Sequence, residues 1–170
     1  SFAGSPKPRG MSRVFIGLGS NLGDRASHFR WALDAWDLHP GVHVLRASRF
    51  RETSPEGEGF RGPFLNAVAE VETSLSPRAL LASLLDMETK RGRTRTPVDP
   101  AGPSAPLDRP LDLDLLLYGR AVLDGPDLVL PHPRMENRRF VMEPLAEIAP
   151  FLPLPGGRTP FSCLQKLPRG

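Results

Sequence analysis

Arg109-Pro-Leu-Asp-Leu-Asp-Leu-Leu-Leu-Tyr118 is the stretch that decides the fold. The two-residue period of a strand puts Asp112, Asp114, Leu116 and Tyr118 on one face and Leu111, Leu113, Leu115 and Leu117 on the other. The leucine face must be core. The opposite face starts with two carboxylates about 7 Å apart along the strand. Like charges beside an apolar layer raise each other's pKa and weaken the fold unless something compensates them. An arginine such as Arg109 would do so, and so would a divalent cation. Hard oxygen ligands on a rigid strand suit magnesium, which takes one or two protein carboxylates and completes its shell with water and phosphate oxygens.

Upstream, Thr96 to Asp108 is proline-rich and almost without apolar residues, which excludes helix and strand interiors and predicts a mobile, lid-like loop. It follows Arg91, Arg93 and Arg95, just past a helix that Ser76-Pro77 starts and Gly92 closes. Leu80, Leu81, Leu84 and Met87 form the apolar stripe of that helix, with Glu88 at its margin. Phe64 to Thr73 alternates as a strand, with Phe64, Asn66, Val68, Glu70 and Glu72 on the face that becomes polar. Thr53 to Pro63 reads as a loop. Val42 to Glu52 reads as one polar edge strand, with Val44, Arg46, Ser48 and Phe50 on one face and His43, Leu45, Ala47 and Arg49 on the other.

Near the N-terminus, Ser12 to Leu18 predicts a buried central strand that runs into Gly17-Leu-Gly-Ser-Asn-Leu-Gly-Asp24. This fits neither a Walker loop nor the dinucleotide fingerprint, so its glycines imply tight turning or close approach of the backbone. Asp24 caps a helix with Phe29, Ala32, Leu33 and Trp36 at helical spacing, stopped by His39-Pro-Gly41. Downstream of the acidic strand come a turn (Arg120 to Pro126), a short strand (Leu128 to Leu130) and Pro131-His132-Pro133-Arg134. A helix then runs through Met142, Leu145 and Ile148, and a proline-rich tail carries an amphipathic piece at Phe161 to Leu167. The order strand, helix, strand, strand, helix, strand predicts an α+β ferredoxin-like sandwich, an antiparallel sheet with helices packed on it and extra C-terminal elements.

A chain of 170 residues, 39% hydrophobic, supports one sizeable core. We read residues 1–10 as a linker, 11–160 as the domain and 161–170 as its tail. All but three of the 22 basic residues are arginine, a fork that matches phosphate oxygens. The formal charge of +3, without a block of like charge, speaks against a nucleic-acid tail. Cys163 alone excludes a disulfide framework within the chain, and the absence of a long apolar run predicts a cytoplasmic protein with no membrane partner. Asp112 and Asp114, with Arg93, Arg95, Arg109, Arg134, Arg138 and Arg139 around them, compose a phosphate site. Two metal ions about 4 Å apart would clamp an in-line phosphoryl displacement there.

Gly17-Leu-Gly-Ser-Asn-Leu-Gly-Asp24, Thr53-x-Pro55-x-Gly57, Phe64-Leu-Asn66, Glu88-x-x-x-Gly92-Arg93-x-Arg95, Arg109-x-x-Asp112-Leu-Asp114, Leu130-Pro-His132-Pro-Arg134, Arg138-x-Phe140 and Pro144-Leu-x-Glu-Ile, in this order, resemble the 6-hydroxymethyl-7,8-dihydropterin pyrophosphokinases of folate biosynthesis. The resemblance runs from Arg13 to Pro150. It implies transfer of diphosphate from ATP to the pterin hydroxymethyl group by a monomer, with two Mg2+ ions on Asp112 and Asp114. It further implies a pterin pocket of Thr53, Ser54, Pro55, Phe64, Asn66 and Phe140, and ATP contacts from Glu88, Arg95, Arg109, Leu115, His132 and Arg138. Arg95 and Arg109 would stabilise the transferring group, and Asp112 offers a proton acceptor. Two features depart from the family pattern. The 95–109 loop is longer, richer in proline and without the usual tryptophan, and Pro133 stands where some members have tyrosine. A magnesium-dependent nucleotidyltransferase and an RNA-binding ferredoxin-like module are the rival readings. The former needs Gly-Ser much closer to Asp-x-Asp, and the latter needs exposed aromatics where this face has aspartates.

Overall fold

The computed structural model describes residues 10–54, 62–92 and 108–169. Pro55, Arg93, Arg95 and nearly all of the predicted lid loop lie outside them. In chain order the elements are β1 (Ser12–Ser20), α1 (Arg25–Leu38), β2 (Val42–Ala47), β3 (Arg51–Thr53), β4 (Phe64–Thr73), α2 (Pro77–Lys90), β5 (Asp112–Tyr118), β6 (Leu123–Asp124), β7 (Val129–Leu130), a 3-10 turn at Met135–Asn137, α3 (Arg139–Ile148) and α4 (Pro160–Lys166). The main sheet is antiparallel in the order β2-β4-β1-β5, with β3 also paired to β4, the predicted ferredoxin-like arrangement. A β6-β7 hairpin stands apart.

The caps sit where the sequence puts them. The Asp24 carboxylate accepts the Ser27 N–H, and the Ser76 hydroxyl accepts the Ala79 N–H with Pro77 opening α2. Helices α1 and α2 bury Phe29, Ala32, Trp36, Leu80 and Leu84 against Val14, Ile16, Leu18, Ala67, Ala69, Val71, Leu111, Leu113 and Leu115. The other face of the sheet is covered at one end by α3 and α4, where Val141, Met142, Leu145 and Cys163 pack on Phe15 and Val68. The C-terminal amphipathic piece is thus a docked helix, with a reciprocal Thr159–Ser162 capping box.

Strict alternation fails in both edge strands. Leu115 pairs with Ile16 but Leu117 pairs with Phe15, so Leu116 is an extra residue in β5. A bulge reverses the facing of everything beyond it. Leu116 and Leu117 therefore both join the α3 side, and Tyr118 turns toward the α1/α2 side, donating its hydroxyl to Leu75 O at 2.5 Å. In β2 the extra residue is Leu45, which puts Arg46 opposite Glu70 and returns Ala47 to the apolar face of Val44. The predicted strand over Val42 to Glu52 is also interrupted. Ser48 is buried, its N–H donates to Val68 O at 2.9 Å, and its hydroxyl accepts the Val68 N–H at 3.0 Å. A side chain there takes the acceptor role of a ladder carbonyl, so the chain can bend into β3. Among the described residues, no helix is long and apolar enough to cross a membrane.

Candidate active site

The site is built on the centre of the sheet. Gly17 and Gly19 in β1 lie opposite Asp114 and Asp112 in β5, and Gly19 also lies opposite Asn66 in β4. Residues directly opposite in an antiparallel pair share a face, so carboxylates, amide and bare glycine backbone meet on one surface. The glycines form its floor. A Cβ on Gly17 would stand 3.7 Å from the Asp114 Cβ, and one on Gly19 would stand 3.6 Å from Asn66 Oδ1 and 3.7 Å from Phe64. These are ordinary contacts, so the fold would accept alanine, but the methyl groups would occupy the floor. Of the three glycines in the motif, Gly17 and Gly19 provide close approach inside a strand. Gly23 alone turns the chain, at φ 71°.

Above this floor is a cavity of about 320 Å³. Thr53, Ser54, Phe64 and Asn66 line one end and Arg109, Asp112 and Asp114 the other, and the lining is completed by His132 and Arg138 from the segment between β7 and α3 and by Phe140 in the first turn of α3. At the first end Asn66 is buried, and its Nδ2 donates to Thr53 Oγ1 at 2.5 Å. That bond fixes the amide and directs Oδ1 toward Gly19. Phe64 and Phe140 supply flat apolar surface, and the Arg138 guanidinium lies 5.3 Å from the centre of the Phe140 ring.

At the second end Arg109 Nη1 donates to Asp112 Oδ1 at 3.3 Å. Burial, then the neighbouring charge of Asp112, pushes the Asp114 carboxyl from 3.8 up to about 7, with Glu88 adding to the effect and Arg138 and Arg109 opposing it. Burial and the Arg138 charge hold the His132 imidazole below its ordinary value, against the pull of Asp112. Its Nδ1 accepts the Arg134 N–H at 3.2 Å, so the neutral ring carries its proton on Nε2.

Residues 15–150 match the family model of 7,8-dihydro-6-hydroxymethylpterin-pyrophosphokinase (HPPK). The chain belongs to the HPPK family. A 2-amino-4-hydroxy-6-hydroxymethyldihydropteridine pyrophosphokinase of Pseudomonas aeruginosa is 38% identical over 166 residues, 93% of this chain and 98% of that protein. Proteins of the same name from Methylorubrum extorquens and Bacillus subtilis are 40% and 42% identical, over 92% and 79% of this chain and 94% and 77% of their own lengths.

Of the residues that the HPPK resemblance singled out, Thr53, Ser54, Phe64, Asn66, Arg109, Asp112, Asp114, His132, Arg138 and Phe140 converge on the one cavity. Pro55 and Arg95 lie outside the described residues. Two others sit elsewhere. Glu88 is fully buried, not marginal, and accepts the Leu113 N–H at 2.8 Å along the outer edge of β5. The Leu115 side chain belongs to the α1/α2 core, which leaves its backbone as the part that could meet a nucleotide. The lining residues not anticipated are Gly17, Leu18, Gly19, Ala67 and Val141, and of these Gly17 and Gly19 form the floor. Their signal was present: glycines two apart in a strand fall on one face and strip it of side chains.

Proposed function

We propose that this chain transfers diphosphate from ATP to the hydroxymethyl group of 6-hydroxymethyl-7,8-dihydropterin, releasing AMP, as a cytoplasmic monomer serving folate synthesis. The observation that carries the reading is the joining, in one cavity, of an aromatic and amide end to an acid and arginine end. A flat heterocycle fits between Phe64 and Phe140 with its ring hydrogen bonds to Asn66 and Thr53. Its exocyclic hydroxymethyl group then points along the glycine floor toward Asp112 and Asp114.

The acid pair fits magnesium. Asp112 and Asp114 share a face, and the Asp114 carboxyl, raised first by burial and then by the Asp112 charge, is one that a bound cation would hold ionised. Among the described residues no group of three or more His, Cys, Asp or Glu could hold a metal alone, so the remaining ligands would be phosphate and water oxygens. Bound there, two Mg2+ ions would neutralise the triphosphate and orient it for in-line displacement. The protein's own groups do the rest. Arg109 and Arg138, with Arg95, bind the phosphates and offset charge that develops on the β-phosphoryl oxygens. His132 donates from Nε2. As the hydroxymethyl oxygen bonds to the β-phosphorus, the bond from that phosphorus to the α,β-bridging oxygen breaks, AMP departs, and Asp112 takes the hydroxyl proton.

The test is chromatographic separation of nucleotide products with ATP, Mg2+ and the pterin. AMP that appears only with pterin supports the reading. A nucleotidyltransferase would instead release free diphosphate, and ADP would indicate single phosphoryl transfer.

A further inference from the structure

We propose that Asn21 is a positioning residue that sets Arg109 for its work on the phosphates. This rests on the role given to Arg109 above. Asn21 is in the glycine-rich motif yet does not line the cavity. It grips the chain at Arg109 from both sides. Arg109 N donates to Asn21 Oδ1 at 2.7 Å, Asn21 N donates to Arg109 O at 3.0 Å, and Asn21 Nδ2 donates to Asp108 Oδ1 at 2.7 Å. One residue thus satisfies both backbone polar groups of Arg109 and fixes the residue before it. From that anchored backbone, Arg109 reaches Asp112.

The clamp is itself held rigidly. Asn21 directly follows the last residue of β1, the central strand that carries the glycine floor. Beyond it, Gly23 turns at positive φ and Asp24 caps α1. His28, one turn into α1, accepts from Arg91 Nε at 3.0 Å, and the Arg91 guanidinium lies 5.0 Å from the Trp31 ring centre. The same β1–α1 turn is therefore tied to the end of α2 as well as to the start of the acidic strand. Because Arg109 enters β5 through Pro110, its guanidinium position follows from where its backbone is pinned. Proline at 110 fixes its own φ and restricts the residue before it. A displacement of about 1 Å at a transition-state contact can cost about a hundredfold in rate.

The experiment is a double-mutant cycle of Asn21→Ala with Arg109→Ala on the full chain, reading kcat and, separately, Mg-ATP affinity by calorimetry. Positioning predicts that Asn21→Ala lowers kcat by about ten- to a hundredfold and weakens Mg-ATP severalfold in the wild-type background, and changes neither by more than about twofold when Arg109 is already alanine. Equal losses in both backgrounds, or no loss in the first, would overturn it. If Asn21→Ala does not fold, Asn21→Asp keeps the acceptor for Arg109 N–H, removes the donor to Asp108 and carries the same cycle. The affinity cycle is read without turnover. A wild type that forms no AMP would defeat the proposed reaction while leaving the positioning claim to be decided by binding.

Discussion

The two faces of one sheet use the same strands to opposite ends. Toward α1 and α2, β1, β4, β5 and the residue just before β5 present Val14, Ile16, Leu18, Ala67, Ala69, Val71, Leu111, Leu113 and Leu115, all buried and apolar. Toward the cavity the intervening positions are Gly17, Gly19, Asn66, Asp112 and Asp114. A single strand, β5, supplies both leucines and carboxylates. The first face stabilises; the second gives up stability, through a carboxyl that burial and a like charge keep from ionising. The lesson is that activity and stability should separate by face.

The sharpest break is Asp114→Asn. If Asp114 holds Mg2+ as proposed, losing its carboxylate should cut AMP formation by at least about a thousandfold, on the order of 4 kcal/mol of transition-state stabilisation, measured by product chromatography. Near-normal turnover would remove β5 from the chemistry. On the opposite face, Leu84→Ala should cost about 3 kcal/mol in urea unfolding while leaving kcat per folded molecule within about twofold. A large loss of kcat at unchanged stability would mean the faces are not independent.

The third prediction concerns pH in the metal-free protein. The folded Asp114 carboxyl holds its proton up to about 7, whereas its ordinary value is 3.8. The folded state therefore binds more protons between these values, and stability falls as pH rises through the window and stays low above it. Wild type should lose on the order of 2 kcal/mol relative to Asp114→Asn between about pH 4 and pH 8, measured by urea unfolding in chelator. Mg-ATP should reverse that loss for wild type and not for the variant. The smallest effect is expected from Gly19→Ala. Its methyl group makes only ordinary contacts, so stability should change by less than about 1 kcal/mol, while pterin affinity falls about tenfold as the floor fills. Unchanged pterin binding would show that the ring does not lie over Gly19.

Local chemistry was legible along the chain. Asp24 and Ser76 cap because short oxygen side chains reach backbone N–H groups within one turn, whatever surrounds them. The Phe29-Ala32-Trp36 and Leu80-Leu84-Met87 stripes, and the alternation of Phe64 to Thr73, were readable because periodicity is a property of the local backbone. So was the pairing of Asp112 with Asp114, which lies ahead of the bulge in β5.

What the tertiary structure decided depends on partners distant in sequence. The extra residues Leu116 and Leu45 follow from the register against β1 and β4, and they move Leu117, Tyr118, Arg46 and Ala47 to faces that simple alternation denies them. Ser48 breaks a strand because its hydroxyl meets Val68 N–H. Glu88 is buried because a strand edge 25 residues away needs an acceptor. The sequence by itself determined helix ends, apolar stripes and an acidic strand, all set by residues within a turn or two of each other. Only the packed sheet decided that two glycines become a floor, that Asp114 holds its proton to about 7 and that Asn21 pins Arg109, because each depends on a neighbour that the chain meets only after crossing the domain.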